Sequence, residues 1–291
     1  MTVAWPVKTL EHEAPWLAAL LDIAVSAGKL TLDFYAGAIE TLHKSDCSPV
    51  TQADLASHDY ICAALKKLSD WPILSEEGEA PEFEQRARWN CYWLIDPLDG
   101  TREFIAKTGE FTVNIALIVA GQVVFGVVYS PVTDELYWAI ADDQTIARPA
   151  TLQQYRAFKV VNGLIKPLTA SAVLSHLGAR VLTSRFHDQA NDPLLNLVNV
   201  ASRTAVGSSL KMCRIAEGQA DIYIRRGPTS QWDTAAAQVI LECAGGRLVC
   251  LGDGLPLDYW PRASFLNPEF VALAPNLDFC GLWLEPVLVE K

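Results

Sequence analysis

The sequence predicts a layered protein of mixed α+β and α/β class. Of its 291 residues, 51% are hydrophobic and 20% are charged. This composition supplies a large core and excludes a disordered or coiled-coil chain. The first half of the chain carries the pattern of an antiparallel meander, whereas the second half alternates strands with helices. Together these patterns predict helices packed on sheets in two lobes, residues 1–150 and residues 151–291.

The first lobe is predicted to begin with two helices and to continue with strands. Apolar residues repeat about every 3.6 positions over residues 13–35, and a second helix is predicted over residues 53–68. Short apolar runs predict five strands, at residues 72–75, 92–95, 111–119, 123–129 and 135–140. Gly121-Gln122 interrupts the longest apolar stretch as a hairpin turn would, which favours two strands over a membrane helix.

The second lobe is predicted to alternate strands with helices. Its strands are expected at residues 180–183, 221–225 and 247–251, and its helices at residues 208–217 and 234–243. Residues 142–170 are mixed in composition, which makes them the best candidate for the junction between the lobes.

The charge of the chain argues against two classes of partner. The formal net charge is −11 at pH 7, whereas proteins that bind nucleic acids or anionic membranes normally carry a basic face. We therefore expect no nucleic-acid partner, and an anionic ligand would need a bound cation. Seven scattered cysteines without a C-x-x-C pair, and an N-terminus without an apolar signal-peptide core, indicate a cytoplasmic protein with reduced thiols and no transmembrane segment.

The most informative segment is the end of a predicted strand, Asp96-Pro97-Leu98-Asp99-Gly100. Proline and glycine force a sharp turn, which can aim both carboxylates and the Leu98 carbonyl at one point. These groups are hard oxygen donors of the kind that Mg²⁺ prefers. Taken alone, the segment is equally compatible with an ordinary surface turn.

Two further acidic positions make a surface turn a less satisfactory explanation. Glu76 and Glu77 follow the strand at residues 72–75, and Asp233 begins an Ala-rich helix. Separately, the two glutamates fit a solvated acidic loop, and Asp233 fits an ordinary N-cap. However, acidic residues among Trp, Leu and Ile are partly desolvated, and clustered carboxylates repel each other unless a cation holds them.

Four spaced motifs carry a resemblance over residues 13–275, namely Ser48-Pro-Val-Thr-Gln-Ala-Asp54, Ser75-Glu-Glu77, Asp96-Pro-Leu-Asp-Gly-Thr101 and Trp232-Asp-Thr-Ala-Ala236. They resemble the inositol monophosphatase superfamily of magnesium-dependent, lithium-inhibited phosphatases. Gly207-Ser-Ser-Leu-Lys211 and Ala216-Glu-Gly-Gln-Ala-Asp221 are similar to its CysQ branch, the 3′(2′),5′-bisphosphate nucleotidases. Residues 141–145 and 150–178 depart from the pattern.

The resemblance implies a layered αβαβα sandwich of the inositol monophosphatase and fructose-1,6-bisphosphatase type, with Mg²⁺ as cofactor. Glu76, Asp96 and the Leu98 carbonyl would hold one ion. Asp96, Asp99 and Asp233 would hold a second, and Glu76 would reach a third where three are used. Such ions clamp both the attacking water and the leaving oxygen, and their charge allows an acidic protein to hold a phosphate ester.

The resemblance also implies the catalytic roles. Thr101 would orient the attacking water, with Asp54 as its hydrogen-bonded partner, and this pair would act as the general base beside Glu76. Glu77 either tunes the site from behind Glu76 or faces solvent. The scissile phosphate is expected to contact Leu98, Asp99, Gly100, Thr101 and Asp233.

Specificity is expected to come from Ser208, Ser209 and Lys211, which could hold a second phosphate. A helix cap followed by an exposed lysine explains the same pattern. Arg225 and Arg226 would either line a nucleotide pocket or form a solvated pair.

The substrate implied by the resemblance is a small phosphorylated nucleotide. The reaction would be hydrolysis of adenosine 3′,5′-bisphosphate to AMP and phosphate, which clears a by-product of sulfate assimilation. The alternative is an inositol or sugar monophosphatase on the same scaffold. Because family members are monomers or dimers, a homodimer stays open. Attachment to the inner membrane face, known for some relatives, also stays open.

Overall fold

The structure, a computed structural model, describes residues 14–37, 41–43, 49–141, 156–170, 178–186, 192–275 and 277. Its helices are α1 (Pro15–Tyr35), α2 (Gln52–Leu68), α3 (Phe83–Arg86), α4 (Thr101–Ile105), α5 (Leu210–Ala216) and α6 (Gln231–Cys243). Its strands are β1 (Thr41–His43), β2 (Pro49–Thr51), β3 (Ile73–Ser75), β4 (Cys91–Asp99), β5 (Thr112–Val119), β6 (Gln122–Ser130), β7 (Glu135–Ile140), β8 (Ala157–Val161), β9 (Leu164–Pro167), β10 (Ala179–Thr183), β11 (Val200–Ala205), β12 (Ile222–Arg225), β13 (Arg247–Cys250) and β14 (Phe270–Leu273).

A seven-stranded sheet, in the order β3-β4-β5-β6-β7-β8-β9, forms the centre of the first lobe. Strands β3 and β4 are parallel, and the other neighbouring pairs are antiparallel. Both faces of the sheet are covered, which explains why β4 is apolar on both sides. Trp93 and Ile95 pack in one core with α1 and α2, whereas Tyr92 and Leu94 pack in the other with α5 and α6.

A five-stranded sheet, in the order β11-β10-β12-β14-β13, forms the second lobe. Helices α5 and α6 lie between the two sheets, and α6 contacts both β6 and β13. The described residues therefore stack as the α1–α2 pair, the large sheet, the α5–α6 pair and the small sheet. This arrangement confirms the layered mixed fold predicted from the sequence.

Several elements differ from the prediction. Residues 157–167, which were predicted to lie beyond the lobe boundary, form β8 and β9 of the large sheet. A boundary after residue 150 therefore cuts that sheet, because its pairing continues to Pro167. Strand β4 continues to Asp99 instead of ending at Ile95, and β11 and β14 are additional strands.

The described residues were also compared with the expectations about membrane-spanning helices and disulfides. Among the described helices, none is both long enough and apolar enough to cross a membrane. No disulfide joins the cysteines in the described part of the chain, which are Cys62, Cys91, Cys213, Cys243 and Cys250.

Candidate active site

A bulge at the end of β4 brings two aspartates to one side of the sheet. Asp96 pairs with Asn114 of β5 and Asp99 pairs with Thr112, so three steps along β4 face two steps along β5. In a regular strand, residues three apart point to opposite faces. The extra residue of the bulge corrects this alternation and re-aims the side chains. The turn predicted from Pro97 is thus a distortion within a strand.

Three carboxylates from separate elements converge at this edge. One oxygen from each of Glu76, Asp96 and Asp233 lies within 4.8 Å of the others. Glu76 follows β3, which runs parallel to β4 and pairs Ser75 with Ile95, so its carboxylate lies beside that of Asp96. Asp233 is delivered by the first turn of α6.

The Asp96 carboxyl group has the environment of a cation ligand. Its side chain is buried, and its Oδ2 atom has no hydrogen-bond partner among the described residues. Burial, together with the charges of Glu76, Asp99 and Asp233, raises the pKa of Asp96 well above its usual range. Burial, followed by the charges of Asp99 and Glu76, likewise raises the pKa of the half-buried Asp233 well above its usual range. A divalent cation would satisfy the orphaned oxygen and offset the repulsion, and the donor set is the oxygen set that Mg²⁺ prefers.

Asp99 is held by the second lobe. Its Oδ2 atom accepts hydrogen bonds of 2.7 Å from both the N–H and the hydroxyl of Ser209. The Ser209 hydroxyl also lies 2.6 Å from the Asp233 carbonyl. Thr112 and Asn114 approach Asp99 more loosely, at 3.4 Å. Both donors of Ser209 thus hold Asp99 in place, and the phosphate-binding role predicted for Ser209 stays a prediction.

Asp54 and Thr101 form the predicted pair. The Thr101 hydroxyl donates to Asp54 Oδ1 over 3.2 Å. Asp54 Oδ2 accepts the Thr51 N–H over 2.8 Å, in a capping box that starts α2. Burial raises the pKa of Asp54. Gly100 adopts a left-handed conformation with φ of 95° and turns the chain from β4 into α4.

Asp233 lies in a capping box of its own. Helix α6 begins at Gln231 rather than at the predicted Thr234, with Ser230 as its N-cap. The Ser230 N–H donates to Asp233 Oδ2 over 2.9 Å. Asp233 is therefore a first-turn residue, which both fixes the helix start and contributes to the acidic cluster. The N-cap alternative raised from the sequence is wrong in position, because the helix starts three residues earlier.

The acidic cluster opens into a cleft that also carries positive charge. Its lining includes Glu76, Asp99, Thr101 and Asp233 together with Ser208, Lys211, Tyr223, Arg225 and Phe186. Lys211 is buried, and its Nζ donates to the carbonyls of Val206 and Ser208 over 3.1 and 2.7 Å. An ammonium carries three protons, so these two bonds leave a third, and Nζ also lies 5.1 Å from the centre of the Tyr223 ring. The exposed lysine proposed as an alternative is thus excluded.

Leu98, the two arginines and Glu77 were also singled out in the sequence. The Leu98 side chain is buried with Ala53, Phe104 and Phe111, and a ligand role for its carbonyl stays a prediction. The exposed Arg226 pairs with Asp192 and Glu269, whereas the buried Arg225 lines the cleft, so the two arginines do not form a solvated pair. The role of Glu77 also stays open. Ser48, the first residue of the first motif, lies outside the described residues.

Asn114 and Thr112 were missed as residues of the site. The sequence offered one signal, because Asn114 is a polar residue inside an otherwise apolar strand. Its amide donates to Ser209 Oγ over 2.9 Å, which links β5 to the second lobe.

Known proteins resemble this chain over most of its length. The model of the inositol monophosphatase family matches residues 12–277. The 3′(2′),5′-bisphosphate nucleotidase CysQ of Salmonella typhimurium is 44% identical over 258 residues, which cover 87% of this chain and 98% of that protein. The protein of the same name from Escherichia coli K12 is 42% identical with the same coverage.

Two solved structures share the fold of this chain. The crystal structure of CysQ from Bacteroides thetaiotaomicron superposes with a TM-score of 0.73 at 35% identity, covering 88% of this chain and 96% of that one. The inositol monophosphatase of Thermotoga maritima, at 20% identity and a TM-score of 0.69, shares the fold over 88% of this chain and 91% of its own.

Proposed function

This chain belongs to the inositol monophosphatase family, and we propose that it is a Mg²⁺-dependent phosphatase that hydrolyses adenosine 3′,5′-bisphosphate to AMP and phosphate. The observation that carries the proposal is the buried, unpartnered Oδ2 of Asp96 within the Glu76–Asp96–Asp233 cluster. The choice of substrate is supported by the nucleotidases that are 42% and 44% identical over nearly their full length. Clearing this by-product of sulfate assimilation is the corresponding cellular role.

Five groups would hold the metal ions, and they come from the turn after β3, the end of β4 and the first turn of α6. They are the carboxylates of Glu76, Asp96, Asp99 and Asp233 and the carbonyl of Leu98. We propose that two Mg²⁺ ions bind here. Glu76 would also reach a third ion where three are used. When bound, Mg²⁺ neutralises phosphate charge and lowers the pKa of a coordinated water.

Asp54 and Thr101 would then accept the proton of the attacking water. The Thr101 hydroxyl donates its own proton to Asp54 Oδ1, so its lone pairs face away from Asp54 and can accept a proton from water. This arrangement orients the water and gives its proton a route towards a carboxylate. The raised pKa of Asp54 suits it to receive a proton.

The second phosphate of a bisphosphate would lie at the basic part of the cleft. Lys211 lines this cleft with two of its three protons on backbone carbonyls, and Arg225 lines the same cleft. Arg225 uses Nε and one terminal nitrogen on the carbonyls of Gly227 and Pro228, which fixes the guanidinium in place. An inositol monophosphate has no group that needs this charge.

A substrate comparison tests the proposal. At fixed Mg²⁺, we expect turnover of adenosine 3′,5′-bisphosphate to exceed that of inositol 1-phosphate and to be inhibited by Li⁺. Asp96→Asn and Asp233→Asn should abolish it, whereas Asp22→Asn, at an exposed position of α1, should not. A large preference for inositol 1-phosphate would overturn the substrate, and near-normal activity of Asp96→Asn would overturn the metal site.

A further inference from the structure

Three residues on one face of α2 contact three different parts of the active site. Ser57 and His58 follow Asp54 by three and four positions, so each lies on the same face of the helix as Asp54. Asp54 bonds to Thr101 at the start of α4. Ser57 and His58 have no role in the mechanism above, and each forms a hydrogen bond to a segment that carries a metal-binding carboxylate.

Ser57 bonds to the bulge of β4. Its fully buried hydroxyl donates to the Pro97 carbonyl over 2.8 Å, across 40 positions of sequence. Pro97 lies between Asp96 and Leu98, where the regular pairing of β4 with β5 shifts register. A buried carbonyl that is out of register needs another donor, and Ser57 supplies it. This bond orients the Pro97–Leu98 peptide, whose Leu98 N–H donates to Asp96 Oδ1 over 3.0 Å, and so it also restrains the Asp96 side chain.

His58 bonds to the turn that carries Glu76. Its Nδ1 lies 2.7 Å from the hydroxyl of the buried Ser75. On the other side of Glu76, the His58 ring packs against Gly78, where an added Cβ would lie 3.2 Å from His58 Cε1. The Glu76 N–H itself donates to the Ile95 carbonyl over 3.2 Å. His58 thus contacts the residues on both sides of the Glu76-Glu77 pair, while β4 holds the backbone between them.

We propose that Ser57 and His58 are positioning residues, which set the spacing between Glu76 and the Asp96–Leu98 bulge by anchoring both to α2. This inference rests on the metal-dependent function proposed above. Groups that orient metal ligands typically change metal affinity about 10–100-fold when they are removed. A purely structural hydrogen bond would change stability and leave metal affinity unaltered.

Direct Mg²⁺ binding, measured by calorimetry on the full chain without substrate, tests the proposal. Ser57→Ala should raise the Mg²⁺ dissociation constant by about tenfold. The matched control is Thr31→Ala in α1, which also removes a fully buried hydroxyl that donates to a carbonyl, over 2.7 Å. That control should lose comparable stability and keep wild-type Mg²⁺ affinity. Equal Mg²⁺ affinity in Ser57→Ala, Thr31→Ala and wild type would overturn the role of Ser57.

For His58, both ends of its hydrogen bond are tested. His58→Ala and Ser75→Ala should each weaken Mg²⁺ binding by about tenfold, and the double variant should be no weaker than either single one. His58→Asn, whose amide can replace Nδ1, should restore binding. Additive losses, or wild-type affinity in His58→Ala, would overturn the role of His58. If the wild-type protein binds no Mg²⁺, the proposed function itself fails, an outcome distinct from a failure confined to the variants.

Discussion

Asp99 and Ser209, 110 positions apart in sequence, are joined by two hydrogen bonds to a single carboxylate oxygen, each 2.7 Å long. The bonds connect the end of β4 in the first lobe to the N-cap of α5 in the second lobe. Because the Ser209 hydroxyl also lies 2.6 Å from the Asp233 carbonyl, one side chain connects two of the acidic segments. The acidic cluster therefore depends on the packing of the lobes as well as on the bulge.

Replacing Ser209 by alanine should weaken the response to Mg²⁺. The N–H bond to Asp99 remains in Ser209→Ala, so we expect the Mg²⁺ concentration for half-maximal activity to rise by about tenfold, at the low end for such partners. The free energy of unfolding should fall by about 1 kcal/mol. Ser202→Ala, at an exposed position of β11, is the control. An unchanged Mg²⁺ requirement would show that Asp99 needs only the backbone bond.

Thr101 should be sensitive to the loss of its hydroxyl and tolerant of the loss of its methyl group. Thr101→Val keeps the shape and removes the bond to Asp54, so kcat should fall by about 100-fold or more. Thr101→Ser should stay within about tenfold of wild type. Mg²⁺ affinity, measured by calorimetry, should be unaltered in both. Equal kcat in the valine and serine variants would contradict the proton path through the Thr101 hydroxyl.

The sequence predicted the elements whose signals are local. The 3.6-residue repeat located α1 and α2 to within two residues, and the acidic motifs located the carboxylates of the cluster. Strand β11 was missed because its side chains are mostly exposed and carry no apolar alternation. The bonds from Ser209 to Asp99 were not predicted, because a hydrogen bond between distant segments leaves no trace in local propensity or spacing.

Gly100 should resist substitution because of its backbone conformation. Its φ of 95° lies in a region that L residues seldom adopt, and an added Cβ would lie 3.3 Å from Ser208 Cβ. Gly100→Ala should therefore lower the free energy of unfolding by about 1–3 kcal/mol, measured by urea denaturation. Gly252→Ala, where a Cβ would meet no atom within 4 Å, is the matched control. Equal stability of the two variants would contradict a strained turn at residue 100.

The charge of Lys211 should give substrate affinity a pH dependence. Burial lowers the pKa of Lys211 to about 8, against the opposing effect of Asp99 and Glu103. In the unfolded chain the lysine pKa is about 10.4, so the folded state disfavours the ammonium. The resulting destabilisation is fully present below about pH 8 and is relieved as the pH rises towards 10.4.

A bound phosphate favours the ammonium and reverses this preference. The KM for adenosine 3′,5′-bisphosphate should therefore rise as the pH increases through about 8, approaching tenfold per pH unit above it. Lys211→Gln should show a high KM that does not change across this range, because glutamine does not titrate. Inositol 1-phosphate, with one phosphate, should show no such rise in either protein. A bisphosphate KM that is independent of pH in the wild type and equal in Lys211→Gln would place the second phosphate elsewhere in the cleft, away from this ammonium.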